Sequence, residues 1–107
     1  MAKPKISFLT VNFNQAGVTV DLLRTLEKLN FAEWECIVVD NGSEPSTLEK
    51  ETKAFSKVKF LRSDKNLGFA GGNNIGLSLC EGEYIFFINN DTELPSEFLD
   101  KLVPFID

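Results

Sequence analysis

The 107-residue chain contains no histidine. That absence removes His-based catalytic triads, imidazole metal sites and imidazole proton shuttles at once. Cysteine is scarce: Cys36 and Cys80 are the only two, and both lie in apolar runs, as reduced core thiols do. Positive charge is in the minority, with 11 Lys and Arg against 16 Asp and Glu and a net charge of −5. This balance argues against a nucleic-acid binder held by phosphate neutralisation. A phosphate-bearing ligand would need a local source of positive charge, such as a metal ion. No apolar run reaches the roughly 18 residues at which a bilayer-spanning helix begins. The N-terminus MAKPKISF lacks a signal peptide's long apolar stretch, so the expected location is cytoplasmic, leaving membrane association to a longer protein. On the same ground, Asn41-Gly42-Ser43 and Asn90-Asp91-Thr92 read as chance matches to a glycosylation acceptor.

What is present suits one globular domain: 43% hydrophobic and 25% charged residues over a length that buries a real but small core. Apolar runs occur at Ile6–Val11, Cys36–Val39, Val58–Leu61 and Tyr84–Ile88. The first, second and fourth are nearly continuous and rich in Ile, Val and Phe, the pattern of strands buried on both faces. The third alternates with Lys57 and Lys59, which suits an edge strand guarded by charge. Between the runs, Val18, Leu22, Leu26 and Leu29 fall at helical spacing. Ser46 and Glu49 form a capping box ahead of Leu48 and Phe55. Ile75 and Leu79 share a helical face. Phe98, Leu102 and Phe105 follow Pro95-Ser96-Glu97 as a last helix. Alternating strand and helix predict an α/β sandwich around a mainly parallel sheet.

Each run ends in polar residues: Asn12-Phe13-Asn14, Asp40-Asn41-Gly42-Ser43, Ser63-Asp64-Lys65-Asn66 and Asn89-Asn90-Asp91-Thr92. In a parallel sheet these four endings share one edge, where open α/β sheets bind ligands. Any one of them is explicable as turn chemistry; their agreement points to a polar cleft. The stretch NLGFAGGNNIG adds Gly68, Gly71, Gly72 and Gly76 where a helix begins. Each interior glycine costs up to about 1 kcal/mol relative to alanine. Such glycines suit close approach of backbone to a ligand or to a neighbouring strand. The spacing is not that of a dinucleotide fingerprint, and no Lys-Ser or Lys-Thr completes a phosphate-binding loop. Asp91 is the best candidate for a hard divalent ion such as Mg2+ or Mn2+, although a strand-end Asp also caps turns.

The segments VVDNGS (Val38–Ser43), NLGFAGGNNIGL (Asn66–Leu77) and GEYIFFINNDTEL (Gly82–Leu94) stand in that order, preceded by ISFLTVNFN. In this order and spacing they resemble the N-terminal half of glycosyltransferase family 2, most of all bacterial rhamnosyl- and galactofuranosyltransferase-like members. The resemblance covers nearly the whole chain. It implies the GT-A fold, a Rossmann-like three-layer sandwich with strand order 3-2-1-4. It also implies inverting transfer of a sugar from a UDP-, dTDP- or GDP-linked donor to an acceptor hydroxyl, in cell-surface polysaccharide synthesis. Carried over by position, Thr10, Val11 and Asn12 would line the base pocket, and Asp40 with Asn41 would meet the base. Asn66 and the segment Gly68–Asn74, with Gly68, Gly71 and Asn74 foremost, would border base, ribose and diphosphate. Asn89 and Asn90 would approach the nucleotide, and Asp91 would bind Mg2+ or Mn2+ bridging the diphosphate, supporting departure of the leaving group. Asp40 and Asp91 are thereby expected to project into a common hollow.

Two departures from the family pattern stand out. Position 89 is Asn where Asp is frequent, leaving one obvious carboxylate for the metal. No positioned general base is apparent; in the family it lies beyond the metal motif, so the base is expected beyond Asp107 and Asp100 and Asp107 read as surface residues. The expectation is therefore a single nucleotide-sugar-binding domain over residues 1–107, without the acceptor half, inactive alone and prone to self-associate through the edge of its fourth strand. Against a receiver-like signalling module stands the first strand's ending in Asn rather than paired acids. Against a sugar-phosphate nucleotidyltransferase stands NFNQAG, which has no Lys or Arg. A structural module without ligand binding is the remaining alternative.

Overall fold

The computed structural model describes residues 3–43 and 48–106. Strands β1 (Ile6–Asn12), β2 (Trp34–Asn41), β3 (Val58–Ser63) and β4 (Tyr84–Phe87) alternate with helices α1 (Ala16–Glu27), α2 (Leu48–Thr52), α3 (Gly68–Leu77) and α4 (Phe98–Ile106). All strand pairs are parallel and their order is β3-β2-β1-β4, as expected. Ser46 of the expected capping box lies outside the described residues.

Strand alternation divides the interior into two layers. On one face, Ile6 and Phe8 of β1 and Cys36 and Val38 of β2 pack with Leu22, Leu23 and Leu26 of α1, Leu48 of α2 and Leu99 of α4. On the other face, Leu9, Ile37 and Val39 pack with Ile75 and Leu79 from and just after α3. Gly76 makes that second layer possible. A Cβ there would lie 2.5 Å from Leu9 Cδ1 and 2.7 Å from Val39 Cγ2, so only glycine lets α3 settle onto the sheet.

Three expectations need correction. The buried face of α1 is Thr19, Val20, Leu22, Leu23 and Leu26, whereas Val18 is exposed. The apolar stripe is thus centred a residue away from the one that Val18 suggests, and it contains a threonine. In α4, Leu99 is fully buried and Phe105 is 87% exposed, because Leu102, Val103 and Ile106 face the core instead. β4 is buried on one face only. Phe86 meets Phe8 and Phe98 edge-on, but Ile85 and Phe87 are exposed, since α3 covers β1 and β2 and β4 is the sheet's last strand among the described residues.

A polar clasp closes the amino end of the sheet. The Ser7 hydroxyl on β1 and the Glu81 N–H both donate to Glu35 Oε2 on β2, at 2.5 and 2.6 Å. The Gly82 N–H donates to Ser7 Oγ at 2.7 Å, and Lys59 Nζ on β3 lies 2.9 Å from Glu35 Oε1 and 2.8 Å from Glu81 Oε1. Burial alone would raise the Glu35 carboxyl's pKa, but the donors from Glu81, Ser7 and Lys59 together outweigh it and hold the group below its ordinary value. Lys59 is therefore an ion-pair partner as well as an edge guard. Both cysteines are free, and burial pushes both thiols upward, far so for Cys36, which keeps them protonated and inert.

Candidate functional site

The carboxyl edge of the sheet carries two polar assemblies, one on each face. The first is an open cleft of about 400 Å³ lined by Val11, Phe13, Gln15, Asn41, Asn66, Gly68 and Phe69. Its framework is a set of hydrogen bonds from Asn41, only 2% exposed at the end of β2. Asn41 Nδ2 donates to Asn66 Oδ1 at 3.0 Å and to the Gly68 carbonyl at 2.9 Å, while Asn41 Oδ1 accepts the Leu67 N–H at 2.9 Å. One amide thus ties the start of α3 to the strand end. Gly42, at φ +81°, takes the chain away under this loop; a Cβ there would stand 2.6 Å from Asn66 N. The N-cap residue Leu67 makes no side-chain cap, but Asn66 Oδ1 accepts the Gly68 N–H at 2.8 Å and Asn41 Oδ1 the Leu67 N–H, so only the later N–H groups of the first turn of α3 lack a side-chain acceptor there.

The second assembly lies on the α1 face. Sheet register places Asn12, Asp40 and Arg62 side by side on β1, β2 and β3. Asp40 is fully buried. Its Oδ1 accepts from Asn12 Nδ2 at 3.2 Å and from the Ser43 hydroxyl, and its Oδ2 pairs with Arg62 at 3.0 Å. Asn12 Oδ1 accepts from the Thr19 hydroxyl at 2.6 Å. Thr19 Oγ1 in turn accepts from Asn90 Nδ2 at 3.1 Å, and Gln15 Oε1 accepts from the same amide at 3.2 Å. A directed series of donors therefore runs from Asn90 through Thr19 and Asn12 to the Asp40 carboxylate.

The series ends at the turn after β4. The Ile88 N–H donates to the Leu9 carbonyl, extending the β1 pairing by a residue, and the Thr92 N–H closes a turn onto the Asn89 carbonyl at 3.1 Å. Asn90 and Asp91 are the central residues of that turn. Asn89 and Asp91 are exposed. The turn offers one carboxylate and amide oxygens, a hard donor set that fits Mg2+ or Mn2+ when a ligand's phosphates supply further oxygens. Among the described residues no group of three or more His, Cys, Asp or Glu gathers, so the turn is not a metal cage by itself.

The structure thus separates residues that the sequence reading grouped. Thr10 and Asn12 face α1 and are buried, with Thr10 Oγ1 lacking a hydrogen-bond partner among the described residues; Val11, between them, faces the cleft. Asn41, Asn66 and Gly68 come together at the cleft, and Gly71 follows in α3. Asn74 is exposed on α3, whereas its neighbour Asn73 is buried. Asp40 and Asp91 share the carboxyl edge and are joined through Asn12, Thr19 and Asn90, but Asp40 is enclosed and does not line the cleft. Phe13, Gln15, Thr19 and Arg62 are additions to the residues expected from sequence, and Phe69 is the side chain of the Gly68–Asn74 segment that lines the cleft beside Gly68. Thr19 carried a signal: a polar residue on the apolar face of an amphipathic helix, in step with Leu22, Leu23 and Leu26. Arg62 carried another, as a charge inside an apolar strand.

Comparison with known proteins agrees with this architecture. The family model described as "Glycosyl transferase family 2" matches residues 7–107. A cholesterol galactosyltransferase of Borreliella burgdorferi is 29% identical over 102 residues, which are 94% of this chain and 28% of that protein. The poly(ribitol-phosphate) beta-N-acetylglucosaminyltransferase TarS of Staphylococcus aureus is 32% identical over 108 residues, covering 96% of this chain and 19% of TarS. The chain therefore spans between about a fifth and a little over a quarter of the length of these relatives. The crystal structure of TarS 1-349 in complex with UDP-GlcNAc superposes with a TM-score of 0.85 at 31% identity, over 96% of this chain and 31% of that one. A mannosyltransferase from Pyrobaculum calidifontis, in complex with GDP-Man and Mn2+, shares the fold at a TM-score of 0.85 and 18% identity, over 99% of this chain and 33% of that one.

Proposed function

The chain belongs to glycosyl transferase family 2, and from that premise we propose that residues 1–107 form its nucleotide-sugar-binding domain. In the whole protein this domain would hold a UDP-, dTDP- or GDP-linked sugar for inverting transfer to an acceptor hydroxyl, in the making of a surface polysaccharide. The observation that carries the reading is the juxtaposition at one sheet edge of a cleft of about 400 Å³ and an exposed Asp91. The exposed rings of Phe13 and Phe69 flank the cleft and suit stacking on a base. Beyond the Gly68 N–H, which Asn66 Oδ1 takes, the first turn of α3 has N–H groups that suit a phosphate. Asn66 and Gly68 border the same space, with Val11 beneath.

Asp91, with Asn89 and Asn90 beside it, is the residue proposed to hold Mg2+ or Mn2+. When bound, the ion neutralises charge on the diphosphate as the sugar leaves. The chain's own part is to orient the nucleotide and to fix the turn that presents Asp91. Asp40, buried and bonded to Asn12, Ser43 and Arg62, would meet a base only after this network rearranged. Calorimetric titration with UDP, GDP and dTDP, with and without Mn2+, tests the reading. Binding of one of them is expected to tighten at least tenfold with Mn2+, and Asp91→Ala to abolish that gain. No binding, or a gain that survives Asp91→Ala, would sink it. For the chain alone we add self-association through β4, whose Ile85 and Phe87 are exposed. Light scattering should show a concentration-dependent mass that Phe87→Lys removes; an unchanging monomer mass argues against it.

A further inference from the structure

We infer that Thr19, in the second turn of α1, is a positioning residue for the metal-binding turn. The inference rests on the proposed role of Asp91. Thr19 is fully buried and touches neither the cleft nor Asp91. Its hydroxyl donates to Asn12 at 2.6 Å and accepts from Asn90 at 3.1 Å, so it is the link between the buried Asp40 row and the turn.

Two local rules are broken at the start of α1, and one contact is common to both: the Thr19 hydroxyl, which donates to Asn12, and the Gln15 amide oxygen each accept from Asn90. Threonine is a poor choice for the apolar face of a helix, because its hydroxyl must find a partner there. Gln15 occupies the N-cap position, where Ser, Thr, Asp or Asn is preferred, and it caps nothing with its side chain. Both side chains instead hold the Asn90 amide. Such local violations concentrate at functional sites, where a residue serves a contact rather than its own element. Asn90 and Asp91 are the two central residues of one turn, closed by Thr92 N–H on the Asn89 carbonyl. Seating Asn90 on α1 therefore sets where the neighbouring carboxylate is presented. β4 by itself cannot do this, since its backbone pairing with β1 stops at Ile88. Because each hydroxyl and amide in the series donates in the same direction, toward a charged acceptor, the bonds reinforce one another.

The test is calorimetry of UDP binding to the 107-residue chain with Mn2+ and with chelator, read as the ratio of the two affinities. Thr19→Val keeps the shape and removes the hydroxyl with its bonds to Asn12 and from Asn90, and it should cut this ratio about tenfold, the effect on the turn of losing the Asn90 bond. Thr19→Ser should restore it. Metal-free UDP affinity should stay within about twofold in both. Gln15→Ala, at an exposed position that leaves folding intact, should lower the ratio less and in the same direction. Broadening of the 89–92 amide signals by Mn2+ in the presence of UDP should weaken in step. A ratio unchanged in Thr19→Val and Gln15→Ala while the wild type shows a metal gain overturns the inference alone. So does an equal fall with and without metal, which marks a merely structural threonine. A wild type without metal gain overturns the proposed role of Asp91 and this inference together.

Discussion

The two ends of the sheet hold assemblies of the same chemistry. At the amino end, Glu35 is nearly buried, accepts from a serine hydroxyl and pairs with a cation on β3. At the carboxyl end, Asp40 is fully buried, accepts from a serine hydroxyl and also pairs with a cation on β3. The difference is where the remaining bonds go. The Glu35 cluster closes on the backbone of Glu81 and Gly82, just ahead of β4, and so fastens the sheet's amino edge. The Asp40 cluster continues through Asn12 and Thr19 to a turn whose next residue is an exposed carboxylate. The two buried ion pairs thus differ in where their bonds end: one on backbone ahead of β4, the other on a turn that presents a carboxylate.

The largest expected effect breaks the carboxyl-end assembly at its centre. Asp40→Ala leaves Arg62, Asn12 and Ser43 without their shared acceptor and should cost about 3 kcal/mol of stability, measured by urea unfolding. The gain in UDP affinity with Mn2+ should also be lost, because the turn that presents Asp91 is tied to this row through Asn12, Thr19 and Asn90. Loss of stability with that gain intact would show that the carboxyl-end cluster is only a clasp, like the other.

A smaller effect is expected at the amino end. Glu35→Gln should cost about 1–2 kcal/mol at neutral pH, because the ion pair with Lys59, 38% exposed, is weakened by solvent. The folded carboxyl titrates below the ordinary value of 4.5. Its contribution is therefore fully present above that pH and is lost as pH falls through the folded value. Wild-type stability should drop in that acid window, and Glu35→Gln should flatten the drop. UDP affinity should not change. A fall in affinity would mean that the two ends are coupled and that the contrast between them is false.

Much of the fold was legible because its signals are local. Continuous β-branched and aromatic runs mark β1 and β2, and polar strand endings mark one edge. The GGNNIG stretch left two readings open, ligand approach or packing; Gly76 against Leu9 and Val39 shows packing for that residue. The α1 register was misjudged because Val18 looks like a core residue and Thr19 does not. The bonds of its hydroxyl to Asn12 and from Asn90 make a threonine satisfactory there. β4 looked buried on both faces because composition does not say which neighbours cover a strand.

The chain's alternation of apolar runs, helical spacings and polar endings determines by itself a parallel α/β sandwich with its chemistry at one edge, since each of those signals spans only a few residues. Only the tertiary structure decided that Val11 and Asn41 face a cleft while Asn12 and Asp40 turn into a buried network on the opposite face. The decisive contacts join residues 22, 28 and 71 positions apart. Pairing of the strands and packing of α1 on the sheet bring them within hydrogen-bonding distance, and no local pattern encodes that separation.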